Sequence, residues 1–382
     1  MSHFKSFRFY FLLVILLTSL IVILLGEHRP SFLRPGLRID AYVSTSDGSV
    51  TVVDLVSLQP AQKVYVGPGI ADMREHAKRA EIWGVSSGAG YIWVLDARSA
   101  QLTAKIPVGP TPLSIDFSPA YDRVFTTSSG SDQLLAIDCA SRAIIGRVRT
   151  GSEPVQARIT ENNKTILVVN HRSSTLSIHD AATLQLRASV NVIPEPDEVL
   201  ATPDATVAFV MSRSDNHLSV VDIPRGVLLA NLELAGKPTQ MLLKPDGGEL
   251  YVISPEAHGL QIVNTWTHEL ADYMMLGSAP TTAILKEDFS EMYVADREAS
   301  RVMAIDIFNR RIIGRPIDVG ASPSAMRFDP TEPGASPTML LVVNESSGDL
   351  AVIRTRTDSL LTMIKVGPQP HLLAARLFDS KN

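Results

Sequence analysis

The side chains best suited to chemistry in this sequence are acids and arginines that return about every 42 residues. Arginine holds carboxylates and phosphates through paired N–H donors, so the set could bind an anionic or polar ligand. It could also be a water-filled network of ion pairs with a purely structural role, and the sequence leaves both interpretations open. The candidates are Asp72, Arg74, Asp116, Arg158, Glu198 and Arg327, with His76, His371 and Arg376 close to them in phase.

Other motifs for catalysis or metal binding are weak. The run 84–88 fits Gly-x-Ser-x-Gly, but a nucleophile elbow needs a strand, a strained turn and then a helix, and this run joins two short strands. No His-Glu-x-x-His, phosphate-binding loop or Cys-x-x-Cys is present, and the nine histidines are scattered. We therefore predict no catalytic residue, no metal ligand and no cofactor.

Two markers with the same period show how the candidates are positioned. A proline recurs at intervals of 42, 43 and 47 residues, and an aspartate or asparagine closes an apolar run every 42 residues. Two markers in one phase indicate a repeated structural unit. The prolines are Pro112, Pro154, Pro196, Pro238, Pro280, Pro323 and Pro370, and the polar markers are Asp54, Asp96, Asp138, Asp180, Asp222, Asn264 and Asp306.

Each unit contains four short segments rich in β-branched residues. In the unit 109–150 they are separated by Gly, Pro, Ser and Asp, and none is long enough for a helix. Four strands in about 42 residues are typical of a β-propeller blade. The first unit lacks its opening strand, which the carboxyl-terminal run after Pro370 can supply.

The sequence therefore predicts an all-β, eight-bladed β-propeller of four-stranded blades over residues 41–378, closed by strand exchange between the termini. The predicted blades are residues 41–66 with 368–378, 67–108, 109–150, 151–192, 193–234, 235–276, 277–319 and 320–367. Positions two and four after each marker proline are mixed in character, whereas three and five are nearly all apolar. Since side chains alternate along a strand, the mixed set should face the central channel.

The units resemble the YVTN family of propeller repeats. The nearest matches are the runs 251–254 (Tyr-Val-Ile-Ser) and 293–296 (Tyr-Val-Ala-Asp), and Lys-Pro-Asp-Gly-Gly at 244–248 matches the preceding turn. The resemblance implies the propeller fold and a bacterial, extracytoplasmic type of protein. It implies little about activity, because one fold hosts unrelated functions.

Composition excludes some partners. The chain has 35 basic and 40 acidic side chains, a net charge of −5, and no concentrated basic surface. Phosphate backbones need such a surface, so nucleic acid is not an expected partner. Cys139 is the single cysteine, so a disulfide framework within the chain is excluded.

The amino terminus predicts a membrane tether. Residues 9–25 are aliphatic apart from Thr18 and Ser19, and as a helix they would span about 26 Å at ~1.5 Å per residue. A small-x-small cleavage site does not follow, which favours an uncleaved signal anchor over a signal peptide. We assign residues 1–26 to the tail and anchor and 27–40 to a linker. The propeller is then expected in the periplasm or outside the cell.

These observations favour a membrane-tethered, non-enzymatic module that binds a protein or a small polar or anionic ligand. A cofactor protein is the alternative, because eight-bladed rings also resemble haem d1 domains, in which a histidine ligates the iron. His76 and His371 are the candidates for that role. A propeller-type lactone hydrolase is weaker, since it needs a compact acid cluster and the acids here are dispersed.

Overall fold

A computed structural model describes residues 36–332 and 334–379. Contacts group the chain into two units. Ile39–Phe378 form one compact unit, which is the propeller, and the second unit consists of Met1–Arg38 with Asp379–Asn382. Of the second unit, only residues 36–38 and 379 are described, of which Leu37 and Arg38 belong to the first strand and Asp379 to the last.

The described residues form 32 β-strands and one short 3-10 turn, Ser129–Ser131. The first sixteen strands are β1 (Leu37–Ser44), β2 (Ser49–Asp54), β3 (Gln59–Tyr65), β4 (Ile70–His76), β5 (Glu81–Ser86), β6 (Tyr91–Asp96), β7 (Gln101–Pro107), β8 (Pro112–Phe117), β9 (Arg123–Ser128), β10 (Gln133–Asp138), β11 (Ile144–Arg149), β12 (Pro154–Ile159), β13 (Thr165–Asn170), β14 (Thr175–Asp180), β15 (Leu186–Asn191) and β16 (Glu198–Ala201). The other sixteen are β17 (Val207–Met211), β18 (His217–Asp222), β19 (Val227–Glu233), β20 (Gln240–Leu243), β21 (Glu249–Ser254), β22 (Gly259–Asn264), β23 (Glu269–Met275), β24 (Pro280–Leu285), β25 (Glu291–Asp296), β26 (Arg301–Asp306), β27 (Arg311–Asp318), β28 (Pro323–Phe328), β29 (Met339–Asn344), β30 (Asp349–Arg354), β31 (Ser359–Lys365) and β32 (Leu373–Asp379).

The strands form eight antiparallel four-stranded sheets, which confirms the predicted eight-bladed propeller. Blades 2 to 8 each use four consecutive strands, from β4–β7 to β28–β31. Blade 1 has the order β3-β2-β1-β32, so the last strand of the chain completes the first sheet. At this junction the Ser44 N–H donates to the Leu372 carbonyl at 3.0 Å.

The repeated aspartates fix the turns between third and fourth strands. Asp138 Oδ1 accepts N–H bonds from Ala140 at 3.1 Å and Ser141 at 2.7 Å. Asn264 Oδ1 does the same for Trp266 and Thr267. A short polar side chain at a strand end satisfies backbone donors that the sheet leaves free. The polar markers of the repeat are therefore structural.

The apolar core lies mainly between neighbouring blades. Trp83 of β5, for example, shares one buried cluster with Ile115 and Val124 of blade 3. Leu167 of blade 4 similarly packs with Ala208 of blade 5. The second and third strands supply most of these buried side chains, because both of their faces are covered by adjacent blades.

The turns define two faces of the propeller. The first residue of each third turn donates its N–H to the end of the first turn of the same blade, as in Ala97 to Ala80 and Ile307 to Ser290. We call this side the first-turn face. The second turns and the connections between blades share the opposite side, where Val66 and Gly67 both donate to Gly48, and we call it the proline face.

A helix that could span a membrane is absent from residues 36–332 and 334–379. The predicted anchor at residues 9–25 lies outside the described residues.

Candidate ligand-binding channel

The first strands of neighbouring blades contact one another in series from β4 to β28, and they carry the predicted channel residues. In blade 2, Ile70 takes the place of the marker proline, 42 residues before Pro112. Several of these strands have an irregular register just after the marker position, as between Ile70 and Asp72 or Pro154 and Gln156. From position two onward the pairing is regular, yet positions four and five are both partly exposed in blades 2, 4 and 7.

Polar side chains at position two bind the next blade. Asp72 Oδ2 accepts the Ile115 N–H at 3.0 Å, and Gln156 Oε1 accepts the Val199 N–H at 2.8 Å. Ser114 and Gln240 make the same type of bond to backbone donors 43 residues later. An inner strand has a free edge, so each such bond pairs a backbone donor that the sheet cannot. Position two is therefore a clamp between blades.

Asp116 joins three blades. Its Oδ2 accepts the Ile159 N–H at 2.9 Å, and its Oδ1 lies 2.9 Å from Arg74 Nη1 and 3.4 Å from Arg158 Nη1. Arg74 also approaches Asp72, with 3.6 Å between Nε and Oδ2. Burial alone would lower the pKa of the Arg74 guanidinium, but the charges of Asp72 and Asp116 outweigh this effect and raise the pKa. Two of the predicted arginines are thus already paired with predicted acids.

Arg327 pairs with Glu75, a residue that the sequence analysis did not select. The pair joins blade 8 to blade 2 across the inner strand of blade 1, where Ala374 and Ala375 are small and buried. Burial, together with the charge of Arg74, lowers the pKa of Arg327 to about 10. The Glu75 carboxylate acts in the opposite direction, and Arg327 is protonated at neutral pH in either case. The sequence could have indicated Glu75, because it is an acidic residue at position five, where the other blades have apolar residues.

Glu198 lies beside Arg158 and Arg213, with 3.9 Å between its Oε2 and Arg213 Nη2. Burial raises the pKa of Glu198 despite the attraction of these arginines. In the blades on either side of blade 5, position two is a glutamine that accepts a backbone N–H from the following blade. Glu198 is therefore an ionisable residue between two neutral glutamine clamps.

We expect Glu198→Gln to stabilise the protein at neutral pH. Because the pKa of Glu198 is higher in the folded than in the unfolded chain, ionisation costs stability as the pH rises above about 4.3, the ordinary value for glutamate. A glutamine there can also make the clamp, worth about 1 kcal/mol, so the melting temperature should rise by roughly 2–4 °C at pH 7–8 and less near pH 4. Differential scanning calorimetry at several pH values measures this change.

The matched control is Glu233→Gln, which neutralises an exposed carboxylate of the same blade and should change little. A lower melting temperature for Glu198→Gln at pH 7 would contradict the argument, since it would mean that attraction to the arginines outweighs burial.

The other three predicted residues lie at seams between blades. His76 is buried; its Nε2 donates to the Tyr121 carbonyl at 2.9 Å, and its Nδ1 accepts the N–H groups of Lys78 and Arg79. Burial lowers the pKa of His76, which favours the neutral ring. His371 Nε2 lies 2.9 Å from the Ile70 carbonyl, and Arg376 donates to Ala77. These residues connect blades 2 and 3 or blades 1 and 2.

Two cavities, of about 510 and about 530 Å³, are lined by inner strands and first turns. The first contains the Arg327–Glu75 pair together with Glu287, Asp329 and Glu332. The second lies against Asp116, Arg158 and Glu161. In that wall, Arg158 Nε is buried and has no hydrogen-bond partner within the described structure. Arg158 therefore has donor capacity that the ion-pair network does not use.

Within the described ranges, no three His, Cys, Asp or Glu side chains are grouped closely enough to hold an ion.

The model of the YNCE-like β-propeller family matches residues 88–287, just over half of the chain. The chain belongs to the YNCE-like β-propeller family. This match, with the eight observed blades, confirms the resemblance to YVTN-type propeller repeats. No curated protein matches the sequence significantly.

Several solved structures share the fold of this YNCE-like propeller. Dihydro-heme d1 dehydrogenase NirN in complex with DHE aligns with a TM-score of 0.74 and 12% identity, over 92% of this chain and 77% of NirN. Apo AztD from Citrobacter koseri aligns with a TM-score of 0.68 and 12% identity, over 89% of this chain and 98% of AztD. Hydrazine synthase of Kuenenia stuttgartiensis aligns with a TM-score of 0.59 and 17% identity, over 76% of this chain and 97% of the synthase chain. At these identities the likeness shows the fold alone.

Proposed function

We propose that this YNCE-like propeller is a membrane-tethered, extracytoplasmic binding module whose channel mouth takes a small anionic or polar ligand without converting it. The observation that carries the proposal is Arg158, which lines a cavity of about 530 Å³ and whose buried Nε has no hydrogen-bond partner within the described structure. A buried unsatisfied donor is costly, and a rotation of the guanidinium that turns Nε toward an anion in the cavity would remove that cost.

A binding role is favoured over catalysis because the reactive side chains are engaged or inert. Ser86 of the Gly-x-Ser-x-Gly run donates to the Pro68 carbonyl at 2.6 Å. Burial raises the pKa of the Cys139 thiol to about 12, which leaves it protonated and unreactive. The channel acids Asp72 and Asp116 are held by backbone donors and by Arg74. None of these groups is poised as a nucleophile or a general base.

The tether and the compartment remain proposals drawn from the sequence. The apolar run 9–25 is long enough for a short membrane span, and the YVTN resemblance implies an extracytoplasmic type of protein.

The test uses the purified full chain in detergent and isothermal titration with inorganic phosphate, succinate and citrate as probes. We expect at least one probe to bind, and Arg158→Gln to weaken it by roughly 10- to 100-fold, because a hydrogen bond to a charged group contributes about 1.5–3 kcal/mol. The control is Arg172→Gln, which alters an exposed arginine of the same blade that pairs with Glu153. Failure of every probe to bind, an unchanged affinity in Arg158→Gln, or turnover of a bound probe would contradict the proposal.

A cofactor role is the alternative, and the fold-level similarity to NirN, a dihydro-heme d1 dehydrogenase, is what favours it. The candidate axial ligands argue against it. Both ring nitrogens of His76 are used by backbone groups, and His371 Nε2 is held at a seam. Ligation would require at least one of these contacts to break. A Soret-region band in protein purified from its host, lost in His76→Ala or His371→Ala, would support the alternative over the proposal.

A further inference from the structure

Two large aromatic side chains are exposed at equivalent positions of neighbouring blades. Trp266 is 77% exposed and Phe308 is 92% exposed, and they occupy the third turns of blades 6 and 7, 42 residues apart. The corresponding residues of the other blades are Val56, Arg98, Ala140, Ala182, Pro224 and Arg356. Burial in the core does not account for either aromatic ring.

Both aromatic residues stand on ordered turns. Asn264 Oδ1 accepts the Trp266 N–H at 2.9 Å, and Asp306 Oδ1 accepts the Asn309 N–H at 2.9 Å. Arg310, two residues after Phe308, ties the third turn of blade 7 to strands β23 and β21 of blade 6 by ion pairs to Asp272 and Glu249. The rings are thus presented at fixed points of the surface.

Apolar side chains continue from these turns onto the outer strands. Leu270 is 44% exposed and Ile312 is 40% exposed, and each follows its aromatic residue by four positions. We call Trp266, Leu270, Phe308 and Ile312 the blade 6–7 patch. Exposed Glu269 and Arg311 precede its two aliphatic members and have opposite charges. Apolar contact, with little net charge, would therefore dominate binding by the patch.

The patch lies on the face where the chain joins the propeller. In blade 1 the Leu55 N–H donates to the Ile39 carbonyl at 2.9 Å. This is the bond that the third turn makes to the end of the first turn in the other blades, as in Ile307 to Ser290. Residue 39 therefore enters the propeller on the first-turn face, which also carries Trp266 and Phe308.

The entry of the chain at Ile39 points to a lipid surface as the partner of the blade 6–7 patch. The 13 residues from 26 to 39 span at most about 45 Å when fully extended, so a bilayer that holds residues 9–25 is within that distance of Ile39. Tryptophan favours the boundary between headgroups and acyl chains, and apolar side chains gain free energy when they leave water. A lipid surface near this face fits an uncharged, aromatic patch.

We infer that the blade 6–7 patch docks the tethered propeller onto the surface of its own membrane. The inference rests on the proposed tether. It limits the orientations of the propeller, because the first-turn face, with the mouths of both cavities, then inclines toward the lipid.

Tryptophan fluorescence can test the docking in the full chain. The protein has three tryptophans, of which Trp83 and Trp93 are fully buried, so Trp266 is the one that a collisional quencher can reach. We expect brominated phosphatidylcholine vesicles holding the reconstituted protein to quench a component of the emission that is missing from Trp266→Phe. Aqueous iodide should quench that component weakly, and Phe308→Ser should shift the quenching from lipid to iodide. Tyr65→Ser, an exposed aromatic at the proline-face end of β3, should change nothing.

The outcomes separate docking from tethering. Alkaline carbonate washing of the host membranes tests the tether, and release of the protein would overturn it and the inference with it. If the protein stays in the washed membranes but the Trp266 emission is quenched by iodide and not by brominated lipid, the docking is wrong and the tether stands. Shielding from both quenchers would also overturn it, because another copy of the chain or another protein would then cover the patch.

Discussion

Deleting residues 373–382 should abolish the cooperative folding of the propeller. The deletion removes β32, whose Ala374 and Phe378 belong to the core cluster with Tyr42, Met73 and Ile82. Loss of one buried phenylalanine costs about 3–5 kcal/mol, and the deletion also exposes the inner edge of β1. Together these losses approach the total stability of about 5–15 kcal/mol typical of a domain. Far-UV circular dichroism melts and gel filtration would show a broad transition or aggregation.

Strand complementation provides the control for this deletion. A synthetic peptide of residues 368–382 added to the truncated chain should restore a sharp melting transition, because β32 pairs with β1 through backbone bonds that a separate chain can also make. A peptide with Leu373 and Phe378 replaced by serine should fail. If the truncated chain melts like the intact protein, closure by the last strand does not stabilise the ring.

Replacing Gly84 by valine should be the most damaging single substitution in blade 2. Gly84 lies directly opposite Trp93 in the β5–β6 ladder, and a Cβ at residue 84 would overlap the six-membered ring of Trp93. Trp93 is fully buried, so the ring has no room to move away. We expect a loss of about 3 kcal/mol or more, which exceeds the usual cost of overpacking by a methylene. Thermal and urea unfolding measure it.

The other blades suggest how to rescue this variant. The pairs equivalent to Gly84 and Trp93 are Val168 with Ser177 in blade 4 and Val210 with Ser219 in blade 5. Trp93→Ser alone leaves a cavity, whereas Gly84→Val with Trp93→Ser recreates the pairing of those blades. We expect the double variant to be more stable than either single variant, a favourable coupling between contacting residues. Strictly additive losses would mean that the glycine and the ring do not compensate each other.

The architecture of this protein could be predicted because the sequence pattern that specifies it repeats every 42 residues. The 42-residue phase of the prolines and aspartates predicted the number of blades and the strands in each of them. Closure by the last strand followed from the missing opening strand of the first unit. These inferences depend only on local sequence and on the number of repeats, and they require no knowledge of packing.

The channel could be predicted only in part. Alternation identified positions two and four, but position five is also partly exposed in blades 2, 4 and 7. The sequence analysis missed Glu75 for this reason. The pairing of Arg327 with Glu75 spans 252 residues and depends on small side chains in between, which a repeat pattern does not reveal. Likewise, phase alone could not show that backbone groups engage both nitrogens of His76.

The exchange of strands between the chain ends affects how the protein is made. A ribosome synthesises β1, β2 and β3 first and β32 last, so blade 1 has an open inner edge while the seven other blades are produced. An unpaired edge of this kind is a template for aggregation. We therefore expect nascent chains that end before residue 373 to need a chaperone, and any export of the propeller across a membrane to finish before the ring can close.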